Sequence, residues 1–105
     1  MKELLLRPYN GRLFFVKTAK EYERQHKRLF KAADVIQRNT AARYSGGEGK
    51  DGMWTYLVYS QSPHTTAHEF SHVLFHVFDR CGMDPRDARG EAFCYMLSQL
   101  MLEAK

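Results

Sequence analysis

TTAHEFSHVLFH, residues 65–76, carries histidines at 68, 72 and 76, with Glu69 directly behind the first. On a helix, a four-residue step returns to the same face after about one turn, roughly 6 Å along the surface. His68 and His72 can therefore aim two imidazoles at one ion, which suits tetrahedral zinc. Glu69 is turned by about 100° around the axis. That offset keeps its carboxylate out of the ligand pair yet within reach of water beside the ion. Two ligands plus a general base is the physical content of His-Glu-x-x-His. The flanking Thr65, Thr66, Ala67, Phe70, Ser71, Val73 and Leu74 include no charge and no proline, as a helix lying behind a metal requires. The plainer alternative is an amphipathic helix whose histidines are surface or satisfied core residues. The motif, its helical setting and the strand signature before it together favour the metal.

The helix has readable ends. Ser62-Pro63 stops what precedes, and proline suits the first helical turn. Gly82 is a natural residue just past a helix C-terminus, which sets the end near Arg80. Asp84-Pro85-Arg86-Asp87 then offers a side-chain cap, a first-turn proline and a first-turn acid. A final helix is expected from Pro85 to about Glu103, with Ala92, Phe93, Met96, Leu97, Leu100 and Met101 on its apolar face. Catalytic zinc needs a third protein ligand, and Asp79, Cys81, Asp84, Asp87 and Glu91 are available downstream. If the two helices form a hairpin with its midpoint between Gly82 and Met83, Glu91 lies level with Leu74, within about one turn of His72. Asp79, Cys81 and Asp84 sit too near the tip, and Asp87 is better used as a cap. Glu91 is the expected third ligand.

Upstream, RLFFVKT at residues 12–18 reads as a strand, approached through the turn formers Pro8, Asn10 and Gly11. Residues 4–6 form a possible short extended segment. Residues 19–37 follow a helical pattern, with Tyr22, His26, Leu29, Phe30 and Ala33 on one side and Lys20, Arg24, Lys27, Arg28 and Lys31 on the other. Residues 39–44 read equally as loop or short strand. SGGEGKDG, residues 45–52, is a flexible turn on composition. Residues 53–61, MWTYLVYSQ, have the strongest β signature in the chain. The layout is α+β: strand, helix, one or more strands, then two helices.

At 105 residues the chain has room for one core, so a single domain over 1–105 is expected. Cys81 and Cys94 make no disulfide framework and read as reduced thiols packed as small hydrophobes. The N-terminal apolar run is too short for a signal-peptide core, and no stretch is long enough to span a bilayer. A cytoplasmic protein with no membrane partner is the expectation. The net charge of +4 permits an acidic partner without requiring one.

HEFSHVLFH followed after a short loop by GEAFCYMLSQL resembles the gluzincin type of zincin metallopeptidase. It is closest in flavour to the ImmA/IrrE family and to small phage-encoded putative metallopeptidases. The resemblance covers residues 65–102 and rests on His68, Glu69, His72 and Glu91. It implies a compact zincin-like domain, with a small twisted sheet on the metal-site helix and a C-terminal helix antiparallel to it. It also implies a Zn²⁺ cofactor held by His68, His72 and Glu91. Glu69 is then the general base, activating water for attack on a peptide bond of a peptide or protein substrate. Tyr95, one turn beyond Glu91, is a candidate oxyanion donor and otherwise a plain core or rim tyrosine. His76 is a candidate donor supporting the metal ligands from behind, a candidate oxyanion stabiliser, or a histidine packed on the helix face, and His64 is expected to be solvated. In that class the strand before the metal helix pairs with an extended substrate; Trp54–Ser60 fits that role or that of an ordinary sheet strand. A competing reading is a catalytically silent zincin-fold interaction module with structural zinc, such as a phage-type inhibitor or adaptor of a host protein. A third is nucleic-acid binding through the basic helix, which predicts salt-sensitive affinity.

Overall fold

The computed structural model describes every residue except Arg7, Pro8, Asn10 and Lys31. The turn signals at Pro8 and Asn10 and the charge at Lys31 thus lie outside the described residues. The elements run β1 (Lys2–Leu5), β2 (Arg12–Val16), α1 (Ala19–Leu29), β3 (Ala42–Glu48), β4 (Trp54–Ser60), α2 (Pro63–Arg80) and α3 (Asp87–Glu103). This is the α+β class expected. The strands form one mixed sheet in the order β1-β2-β4-β3. β2 and β4 run parallel at its centre, with Phe14 opposite Leu57, while β1 and β3 flank them antiparallel.

Side-chain alternation along each strand divides the interior in two. Leu13, Phe15, Tyr56 and Val58 face α2 and α3, where they meet Phe70, Val73, Leu74, Val77, Phe78 and Leu100. Phe14, Val16, Leu57 and Tyr59 face the other way, onto Tyr22 and Leu29 of α1. The sheet is therefore a middle layer, with α1 on one side and the α2–α3 pair on the other. Among the described residues no helix is long and apolar enough to cross a membrane.

α2 begins and ends as its caps dictate. The Ser62 hydroxyl accepts from the Thr65 amide, and Pro63 occupies the first turn. At the far end Gly82 takes φ +70°, Gly82 N–H reaches Asp79 O (3.1 Å) and Met83 N–H reaches Phe78 O (2.8 Å). This paired closure is the Schellman motif, and it needs the left-handed residue that glycine supplies.

Three local expectations are corrected. α1 stops at Leu29, because the chain doubles back onto it. His26 Nδ1 lies 2.7 Å from Ala32 O, Glu23 accepts the Ile36 amide, and Asp34 returns to the Tyr22 hydroxyl. Ala33 is consequently exposed instead of covering the sheet. Residues 45–48 are not turn but the second half of β3, and the reversal into β4 is confined to 49–53, where Gly49 N–H bonds Met53 O. The last helix does not run on from Pro85. Asp84 turns its carboxylate to the Arg86 amide, closing a local turn. Ala88, Arg89 and Gly90 then take positive φ, so right-handed helix resumes only at Glu91. Asp87 makes no cap, and Ala92 is exposed. Both cysteines are free as expected, but exposed rather than packed.

A polar cluster around the buried Tyr22 ties α1 to β3. The Tyr22 hydroxyl lies 2.7 Å from Asp34 and 2.6 Å from Ser45 Oγ, and Arg43 clasps the same Asp34 carboxylate. Burial pushes the Tyr22 hydroxyl up to about 12, with the neighbouring Asp34 charge adding to the rise. The folded chain thus holds this proton more tightly than an unfolded one, where tyrosine titrates near 10. Its stabilisation is whole below about pH 10 and is lost as pH rises through about 12. Tyr22→Phe should cost about 1–2 kcal/mol at neutral pH. It should also flatten the alkaline fall in stability, as read from urea midpoints across that window.

Candidate metal centre

α2 buries Thr66, Glu69, Phe70, Val73, Leu74, Val77 and Phe78. His68 and His72 lie outside that set and are exposed. Their Nε2 atoms stand 3.2 Å apart, with the rings 4.8 Å between centroids and nearly perpendicular. An ion at ordinary zinc–imidazole distance from both nitrogens would subtend about 100° between them, near the tetrahedral angle. The spacing of the pair therefore suits two positions of a tetrahedral centre.

Glu69 is 8 % exposed and is the only charged residue among α2's buried positions. Among the described residues no hydrogen bond or ion pair engages its carboxylate. Burying a carboxylate without a partner opposes folding, so packing gives no reason for this residue. A general base that must accept a proton does need a carboxylate free of competing donors.

β3 supplies the wall beside the histidines. Tyr44 stacks on His72 with ring centroids 5.3 Å apart and planes only 7° from parallel. Two residues on, Gly46 faces the Tyr56 ring, where a Cβ would fall 2.6 Å from Cδ1. The missing side chain lets β3 close over Tyr56. The Tyr56 hydroxyl, whose ionisation burial disfavours, lies 2.6 Å from His76 Nδ1. A protonated phenol donating there leaves the ring proton of His76 on Nε2. Trp54 lies against the same imidazole at 5.5 Å, with the Arg80 guanidinium over the indole. His76 is thus half-buried and packed against β4. His64 is exposed at the first turn, as expected for a solvated residue.

Glu91 is not brought to the pair. Among the described residues, no three histidines, cysteines, aspartates or glutamates gather into a metal-binding group. The helix register explains this. Phe93 packs on Phe75 (4.9 Å between centroids) and on Phe78 (5.8 Å). Those contacts set Glu91 level with residues 77–80, about a turn nearer the hairpin tip than Leu74. The left-handed turn at 88–90 lengthens the connection and produces the shift. Glu91 is exposed, and Tyr95 is 72 % exposed on the same helix.

β4 cannot add a substrate strand to the sheet, because its two edges are taken by β2 and β3. The free edge on this side belongs to β3. Gly46 went unread in the sequence because residues 45–52 look like loop, and Tyr44 because residues 39–44 read equally as loop or short strand. The available signal was the β-hairpin logic of a Gly-containing turn, Gly49 to Gly52, immediately before a strong strand.

No protein family, curated protein or solved structure matches the chain.

Two substitutions test the wall. Gly46→Ala should destabilise the fold by about 1–3 kcal/mol, because the buried Tyr56 ring must give way; a thermal melt measures this. Tyr44→Ala should release the His72 ring from its stacked plane, read as a shift of its imidazole NMR signals, while Tyr44→Phe, which keeps the stack, should not.

Proposed function

We propose that this chain is a zinc-dependent metallopeptidase-like domain of gluzincin type, acting on a peptide or protein substrate. The observation that carries the reading is the His68–His72 pair, 3.2 Å between Nε2 atoms, with a buried and unengaged Glu69 between them in sequence. His68 and His72 would hold the ion, and Glu91, the carboxylate proposed for the third place, would have to be carried about one turn toward His72 by a shift of α3 to reach it. When bound, zinc supplies Lewis-acid polarisation of water and of a peptide carbonyl. Glu69 takes a proton from the attacking water and passes it to the departing amine. Tyr44 holds the plane of His72 through the stack. Tyr95 is proposed as a donor to the developing oxyanion; its exposure leaves the hydroxyl open to a substrate.

The first test is elemental mass spectrometry of the purified protein. About one zinc per chain is expected, lost in His72→Ala and reduced in Glu91→Ala. No zinc in the parent chain, even after zinc is supplied at neutral pH, would sink the proposal. With a cleaved peptide in hand, Glu69→Gln should keep the metal and lower kcat by at least about a hundredfold. An unchanged rate would remove Glu69 from the mechanism. A protein that holds zinc but cleaves no peptide in a broad library would instead match the silent interaction module with structural zinc.

A further inference from the structure

Charge is divided unequally along the chain. Residues 1–60 carry twelve lysines and arginines against six acids, whereas residues 61–105 carry four against six. The excess of positive charge has a place in the fold. Lys20, Arg24, Lys27 and Arg28 recur along α1 at the spacing of one helix face, all four are exposed, and Lys17 extends the row just before the helix. Tyr22, His26 and Leu29 hold the opposite face of α1 against the sheet. Arg24 is drawn to Glu21 and Arg28 bonds Gln25, while no ion pair holds Lys17, Lys20 or Lys27 among the described residues. The helix therefore presents at least three unneutralised cations along roughly two turns.

The chemistry of this face narrows its partner. Met1, Leu5, Val35, Met53, Trp54, Phe75, Tyr95 and Leu102 are the exposed large apolar residues, and none is on α1. A membrane-surface helix needs an apolar face turned outward, and here that face is inside the protein. A protein partner is usually anchored by aromatic or aliphatic side chains at the contact centre, which this face lacks. A single strand of nucleic acid is gripped by stacking its bases on aromatic rings, and α1 offers none outward. What a predominantly cationic, rigid row without outward aromatic rings matches is a regular array of phosphates whose bases are stacked away inside. We propose that the outer face of α1 docks on the phosphate backbone of duplex DNA, without reading sequence. This surface lies across the sheet from the histidine pair and does not rest on the metal reading.

The test is fluorescence anisotropy with a labelled DNA duplex of arbitrary sequence, using the whole chain. Three phosphate contacts predict a log–log salt slope of about −3, so affinity should fall about 40-fold between roughly 50 and 200 mM salt. Lys20→Glu with Lys27→Glu should weaken binding at least about tenfold and bring the slope to about −1. The milder Lys20→Gln with Lys27→Gln should fall between, with circular dichroism showing the fold retained in each. Gln99→Ala, exposed on α3 across the sheet, should bind as the parent does. Duplex affinity that ignores salt, or that survives both double variants, overturns the assignment. So does tighter binding to a single strand, loss of binding in Gln99→Ala, or binding to vesicles rich in anionic lipid but not to the duplex.

Discussion

The burial of β4 on both faces is the constraint on which the other elements depend. Every residue of this strand beyond Trp54 is out of contact with water. A strand in that position needs partners along both edges for its backbone and a helical layer on each side for its side chains. β2 and β3 provide the edges, α1 covers Leu57 and Tyr59, and α2 covers Tyr56 and Val58. The histidines are placed by the same constraint. α2 packs onto the sheet through Phe70, Val73, Leu74 and Val77, which turns positions 68 and 72 away from the core. β3, held against β4, then has its Tyr44 beside His72.

Much of this was legible residue by residue, and for physical reasons. The ends of α2 follow from Ser62, Pro63 and Gly82, because each satisfies a backbone requirement that few other residues meet. β4 announces itself through a dense run of β-branched and aromatic side chains. The histidine pair follows from helical spacing alone. β3 was hidden because its inward positions include Gly46, whose usefulness comes from having no side chain. Nothing in a pattern of hydrophobicity records a contact made by absence. The α2–α3 register was hidden for a different reason. Ala88 and Arg89 are not residues that favour positive φ, at a cost of about 1–2 kcal/mol each. Local propensity therefore pointed to helix, whereas the Asp84 turn and the seating of Phe93 between Phe75 and Phe78 prevailed.

The site joins a part fixed by local geometry to a part fixed by tertiary packing. His68, Glu69 and His72 share one helix, so their relation survives small errors in everything else. A donor from α3 depends on the connection between the helices, where one turn of register moves a carboxylate by about 5 Å. Sequence reasoning is accordingly strongest on the spacing of His68, Glu69 and His72, and weakest on what α3 places beside them.

The separation of charge along the chain has a consequence for orientation. With cations in excess over residues 1–60, a row of them exposed on α1, and acids in excess over residues 61–105, the molecule's charge is unevenly distributed as well as weakly positive overall. In the field of any polyanion it experiences a torque before it makes a contact. It would arrive with α1 leading and the exposed His68 and His72, on the other side of the sheet, facing away.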